Sequence, residues 1–181
     1  ASVADYKARY EELGAERVMA IATSAVRDAS NGDAFIAELR ERFAIDARRL
    51  TGEEEAHLTY LGATARRPPE SDTLVFDIGG GSTELVVGSG SDVGFHVSLQ
   101  AGTIRQSERH LTTDPPDAHE LEELADDVRH EIERAIEADP AVRATHAIAV
   151  AGTPTSLAAV DQELDPYDSE RVHGYRLAMT R

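Results

Sequence analysis

The 181 residues predict an α/β protein with a mixed sheet and flanking helices. Three observations carry that expectation. Short apolar runs with strand character alternate with helix-periodic segments along the chain, which is the pattern of an α/β fold. Three such runs, at 73–77, 83–88 and 93–99, follow one another across short turns, so part of the sheet must be antiparallel. Hydrophobic residues make up 41% of the chain, enough for a core.

Taken in order, residues 4–13 predict a helix closed by Gly14 at the C′ position. Residues 17–22 predict a buried strand that runs through Thr23 and Ser24 into a helical turn carrying Arg27. Asn31 is a candidate cap for a helix whose apolar face is Phe35, Ile36, Leu39 and Phe43. A short strand at 45–50 leads to Thr51 and Gly52, then to a helix with the stripe Leu58, Leu61 and Ala65. Pro68 and Pro69 stop that helix in a loop over 66–72. After the three strands, 102–111 predicts a short helix. Residues 117–138 predict a long one with the stripe Leu121, Leu124, Val128, Ile132 and Ile136. Its acidic opposite face is expected to be solvated. Residues 146–151 predict a further buried strand, which turns at Gly152, Thr153 and Pro154 into a helix ending near Val160.

Composition excludes several chemistries. The chain has no Cys, so disulfides, thiolate metal sites and a Cys nucleophile are ruled out. A formal charge of −16 argues against nonspecific binding to nucleic acid or an anionic membrane. No apolar run reaches about 18 residues, so no spanning helix is expected. The first residues lack the apolar core of a signal peptide, and a cytoplasmic location is expected. The same negative charge would repel a phosphate polymer unless local cations offset it. Seventeen of the eighteen basic residues are Arg, whose planar fork can bind phosphate oxygens bidentately.

The most informative stretch is Asp77-Ile78-Gly79-Gly80-Gly81-Ser82-Thr83-Glu84. A strand delivers an acid, three glycines turn, two hydroxyl residues follow, and a second strand begins. Successive N–H groups in such a turn form an anion-binding nest, and glycine permits close approach. Asp77 at the strand end could hold a hydrated cation or a water beside the anion. The plainer reading is a hairpin with a glycine turn; an acid on each side favours a phosphate site. Glu53, Glu54 and Glu55 open a helix, where acids ordinarily cap it and compensate its dipole. Helical neighbours point about 100° apart, so one or two of them could instead serve a common site, one as the base for water attack. Arg27 sits one turn into a helical start, where it is either a surface residue or an anion contact. Gly152 and Thr153 form another strand–glycine–hydroxyl turn. The seven histidines show no metal-ligand spacing, His57 reads as a partly exposed side chain, and Ser82 has no evident His/Asp pair in the sequence. Phosphoryl transfer to water fits these residues better than a serine hydrolase.

Four segments, 22–27 (ATSAVR), 51–56 (TGEEEA), 77–84 (DIGGGSTE) and 151–155 (AGTPT), together resemble the exopolyphosphatase/guanosine pentaphosphate phosphohydrolase (Ppx/GppA) family of the actin–sugar kinase–Hsp70 superfamily. The resemblance covers essentially the whole chain and implies an actin-like (ribonuclease H-like) ATPase fold. Residues 1–50 would end domain I, and 51–181 would form the first part of domain II. It implies an exopolyphosphatase or guanosine pentaphosphate phosphatase that uses Mg²⁺, with inorganic polyphosphate or guanosine pentaphosphate as partner. By the same resemblance Glu55 is the catalytic base. Asp77 and Glu84 are catalytic acids that hold the metal. Gly79, Gly80, Gly81, Ser82 and Thr83 cradle the terminal phosphoryl group, Arg27 contacts the phosphate chain, and Gly152 and Thr153 border the channel. The family's first phosphate loop and its C-terminal closing helices have no counterpart here. An internal fragment is therefore expected, with exposed apolar patches and self-association as a homodimer. Two other readings stay open: a polyphosphate- or alarmone-binding module without turnover, and an ATP-using relative of the superfamily.

Overall fold

The computed structural model describes residues 2–66, 72–139 and 143–178. The chain divides into two compact units, Ala1–Glu55 and Ala56–Arg181.

The first unit holds α1 (Ser2–Glu12), β1 (Ala20–Ala22), α2 (Ser24–Asp28), α3 (Gly32–Phe43) and β2 (Ala47–Arg49), and ends in the first turn of α4 (Gly52–Thr64). Past α1, Gly14 adopts φ +65°, as a C′ glycine should. Lys7 on α1 donates to the Phe43 carbonyl at the end of α3, 2.9 Å away. Strands β1 and β2 pair in parallel, Ala20 opposite Ala47 and Ala22 opposite Arg49. The expected strand at 17–22 shrinks to three residues, of which Ala22 alone is buried. Met19 is 89% exposed, and Val18 and Ile21 are exposed too. Among the described residues this sheet has two short strands, β1 and β2, too small a surface to bury a long apolar run. Thr23 and Asn31 occupy the N-cap positions of α2 and α3, yet neither side chain makes a capping bond. On the expected face of α3 only Leu39 is fully buried.

The second unit is built on a four-stranded sheet of order β5-β4-β3-β6, comprising β3 (Thr73–Ile78), β4 (Thr83–Ser89), β5 (Asp92–Leu99) and β6 (His146–Val150). Pairs β3/β4 and β4/β5 are antiparallel, whereas β3/β6 is parallel. This is the mixed sheet that the short turns predict. The helices are α5 (Thr103–His110), α6 (Ala118–Ala138), α7 (Gly152–Asp161) and α8 (Ser169–Val172), the last not anticipated.

Each face of the sheet has its own core. One gathers Val75 and Val86 with Ala56 and Tyr60 of α4, joined by Ala63 and Val150. The buried stripe of α4 is therefore Ala56, Tyr60 and Ala63, and Leu58 is exposed. Both stripes have helical spacing; Tyr60 decides between them. Its ring lies where a Cβ on Gly88 would be 2.8 Å from Cζ, so a glycine in β4 makes room for a large side chain. The other core packs Leu85, Leu99 and Ala101 against Val128, Ile132 and Ala135 of α6. Leu121 and Ile136, at the ends of the expected stripe, stay exposed. Asp117 and Glu120 close the start of α6 in a capping box. Glu120 also accepts from the hydroxyls and amides of Thr112 and Thr113. The Thr112 hydroxyl, then Thr113, drive the Glu120 carboxyl down to about 2. Most of the loop expected at 66–72 lies outside the described residues. No helix among the described residues is long and apolar enough to cross a membrane.

Candidate functional site

In the first unit Glu54 and Glu55 take different partners. Glu54 and Thr51 form a reciprocal capping pair: Thr51 N–H donates to Glu54 Oε2 at 3.0 Å, and Glu54 N–H to Thr51 Oγ1 at 3.1 Å. The Thr51 amide, with Arg48 adding to it, lowers the Glu54 pKa. Glu55 turns elsewhere. Arg27 Nη1 donates to Glu55 Oε2 at 2.8 Å and to the Leu50 carbonyl at 3.2 Å. The Glu55 side chain is 13% exposed and that of Arg27 is 24% exposed. Arg27 is thus half-buried, and it ties α2 to the end of β2 and to the first turn of α4.

In the second unit the remaining candidates gather at one end of the sheet. Asp77 on β3 pairs directly with Glu84 on β4, Glu84 with Ser98 on β5, and Asp77 with Val150 on β6. Directly opposite residues share a face, so Asp77, Glu84 and Ser98 stand in one row across three strands. Ser98 Oγ donates to Glu84 Oε1 at 2.9 Å, and Glu84 is buried, 4% exposed. Because β3 and β6 are parallel, the glycine turn after Asp77 and the turn after Val150 leave the sheet at the same edge. That edge, outside the carboxyl ends of parallel strands, is where open α/β sheets receive ligands. Gly152 and Thr153 open α7 there. The residue before them, Ala151, holds φ +74° and ψ −170°, a region that strains any side chain.

The glycine turn is gripped from one side. Gly79 N–H donates to the Ser82 carbonyl at 3.0 Å. The carbonyls of all three glycines then go to the start of α5. Gly79 accepts from Thr103 N–H at 2.9 Å and from Thr103 Oγ1 at 3.3 Å, Gly80 from Arg105 N–H at 3.0 Å, and Gly81 from Arg105 Nε at 2.7 Å. In a trans peptide the C=O of one residue and the N–H of the next point oppositely. Three carbonyls drawn toward α5 therefore aim the amides of Gly80, Gly81 and Ser82 the other way, in a row suited to an anion. Gly102 permits this grip, since a Cβ there would lie 2.3 Å from Gly81 C and 2.4 Å from Ser82 N. Thr83 Oγ1, donating to the Ala101 carbonyl at 2.8 Å, closes the other side of the contact.

Sequence reasoning read 102–111 only as a short helix, and so missed Gly102, Thr103 and Arg105. The one signal was a glycine followed by a hydroxyl residue at a helix start, a pattern already given weight at Gly152 and Thr153. Among the described residues no group of three or more His, Asp or Glu gathers to hold a metal. Two adjacent carboxylates still suit Mg²⁺, which keeps waters and takes one or two carboxylates plus substrate phosphate oxygens. Like charges directly opposite in a sheet also repel, and a cation beside Asp77 and Glu84 would relieve that cost.

The chain belongs to the Ppx/GppA phosphatase family, whose pattern matches residues 1–178. Among its relatives is exopolyphosphatase 2 of Mycobacterium tuberculosis, 36% identical over 165 residues, which are 88% of this chain and 51% of that protein. A guanosine-5'-triphosphate,3'-diphosphate pyrophosphatase of Photobacterium profundum is 33% identical over 129 residues, covering 71% of this chain and 26% of that one. The crystal structure of an exopolyphosphatase-like protein superposes with a TM-score of 0.86 at 36% identity, over 96% of this chain and 56% of that one. The chain thus spans about half the length of the exopolyphosphatase relatives it matches.

Proposed function

We propose that the protein hydrolyses the terminal phosphoanhydride of inorganic polyphosphate or guanosine pentaphosphate and releases orthophosphate. The observation that carries this reading is the row of amides at Gly80, Gly81 and Ser82 beside the Asp77/Glu84 pair, in a chain of the Ppx/GppA family. In this reading Gly79, Gly80, Gly81, Ser82 and Thr83 bind the terminal phosphoryl group, and their fixed dipoles stabilise charge growing on its oxygens. Asp77 and Glu84 would hold Mg²⁺, which supplies neutralisation of phosphoryl charge when bound. Glu55 takes the proton of the attacking water. Arg27 orients Glu55 and contacts the phosphate chain, while Gly152 and Thr153 border its path. Residues 1–50 belong to the end of one actin-like domain and 51–181 to the first part of the next. The proposal includes a cytoplasmic location, and the exposed Leu157 and Val160 of α7 support a homodimer.

The test is phosphate release by the full-length protein from polyphosphate and from guanosine pentaphosphate, with Mg²⁺ and with a chelator. Metal-dependent release from either substrate is expected. Binding without release would make the protein a phosphate-chain receptor, and neither binding nor release would end the reading.

A further inference from the structure

The start of α5 deepens that reading. Arg105 is exposed, yet its Nε makes the 2.7 Å bond to the Gly81 carbonyl, the shortest of the bonds that orient the turn. Among the described residues no carboxylate lies within ion-pair distance of its guanidinium, although the chain carries a net charge of −16. A long Arg side chain that forgoes abundant carboxylates for a single main-chain carbonyl is held there by geometry rather than by charge. Gly81 is the last carbonyl of the turn, and its peptide plane carries the Ser82 N–H. Without the bond from Arg105 Nε, the side-chain half of the grip is left to Thr103 alone, at Gly79. The Gly81–Ser82 peptide could then rotate, and its amide would leave the row.

We propose that Arg105 is a positioning residue for phosphate recognition. Its Nε–H fixes the Gly81–Ser82 peptide so that the Ser82 amide faces the terminal phosphoryl group. It acts through the main chain and not as a contact to substrate, and the inference rests on the function proposed above.

The side chain offers a clean discrimination. In Gln the amide Nε2 occupies the same place along the side chain as Nε of Arg, without the charge; in Lys that place is a methylene, and the charge is kept. The experiment compares Arg105→Ala, Arg105→Gln and Arg105→Lys with wild type in the full-length protein. Affinity for inorganic tripolyphosphate is read by titration calorimetry, KM and kcat by phosphate release, and folding by thermal unfolding.

Ala and Lys are expected to weaken binding and raise KM about five- to tenfold, the span of one lost hydrogen bond, with a smaller change in kcat. Gln is expected to stay near wild type, and all three should unfold close to the wild-type temperature because the side chain is exposed. Retention by Lys with loss by Gln would make Arg105 a charge contact and overturn the proposal, as would an Ala variant that binds normally. A wild-type protein that binds tripolyphosphate while the variants break this pattern leaves the proposed function standing. One that neither binds nor hydrolyses it ends both.

Discussion

The two units hold their candidate chemistry by different means. In Ala1–Glu55 it is a pair of side chains, Arg27 and Glu55, bonded at 2.8 Å and partly buried. In Ala56–Arg181 it is main chain: three glycine carbonyls pulled to one side by α5, beside two acids set opposite each other in the sheet. A side-chain device fails when one functional group is exchanged. A main-chain device fails when its supports move, so its weak points lie away from the atoms that meet the ligand.

The largest effect should come from the side-chain device. Glu55→Gln keeps the shape and removes the base, and is expected to lower kcat by about 10²–10⁴ in a phosphate-release assay. Near-normal turnover would take Glu55 out of that role and leave the first unit with a structural ion pair. Next comes the acid row. Asp77→Asn should raise the Mg²⁺ concentration needed for half-maximal release by about tenfold or more, as loss of one of two carboxylates implies. A third prediction probes the support. Gly102→Ala places a Cβ into the Gly80–Ser82 backbone and is expected to cost about 1–3 kcal/mol in denaturant unfolding, the range for overpacking. It should also weaken tripolyphosphate binding by displacing the Gly80–Ser82 backbone from its α5 side, with no residue proposed to meet the ligand exchanged. Unchanged binding would show that the turn holds its form unaided.

The smallest effect lies in the second unit's frame. The Glu120 carboxyl, held near 2 against a usual 4.5 by Thr112 and Thr113, favours the folded state fully above pH about 4.5. That contribution is lost as the pH falls toward 2, because the unfolded chain then binds the proton first. Glu120→Gln should flatten the fall in stability over this window, measured by urea unfolding between pH 5 and 2.5; an identical slope would remove Glu120 as its source.

These contrasts also explain what could be read from the chain. The strands around Val75, Val86 and Val97 were legible as short apolar runs separated by short turns, and the glycine turn because an acid stands on each side of three glycines. The helix from 117 was legible from apolar residues three or four apart, and its middle members Val128 and Ile132 do pack on the sheet. The grip of α5 was hidden, since its acceptors are carbonyls that every residue carries, 24 positions from the donor at Arg105. Tyr60 was hidden for another reason: its place depends on a glycine in a distant strand. The exposed Met19 and Ile21 were misread because apolar content predicts burial only where there is surface enough to bury it.

The row through Asp77, Glu84 and Ser98 makes the length of the glycine turn a chemical quantity. Side chains along a strand alternate between faces, so one residue added between Ile78 and Thr83 must either lengthen the turn away from its grip on α5 or slip β4 by one place and swing Glu84 to the far side of the sheet. Drift in those few positions would then be punished more severely by insertion or deletion than by exchange of one residue for another.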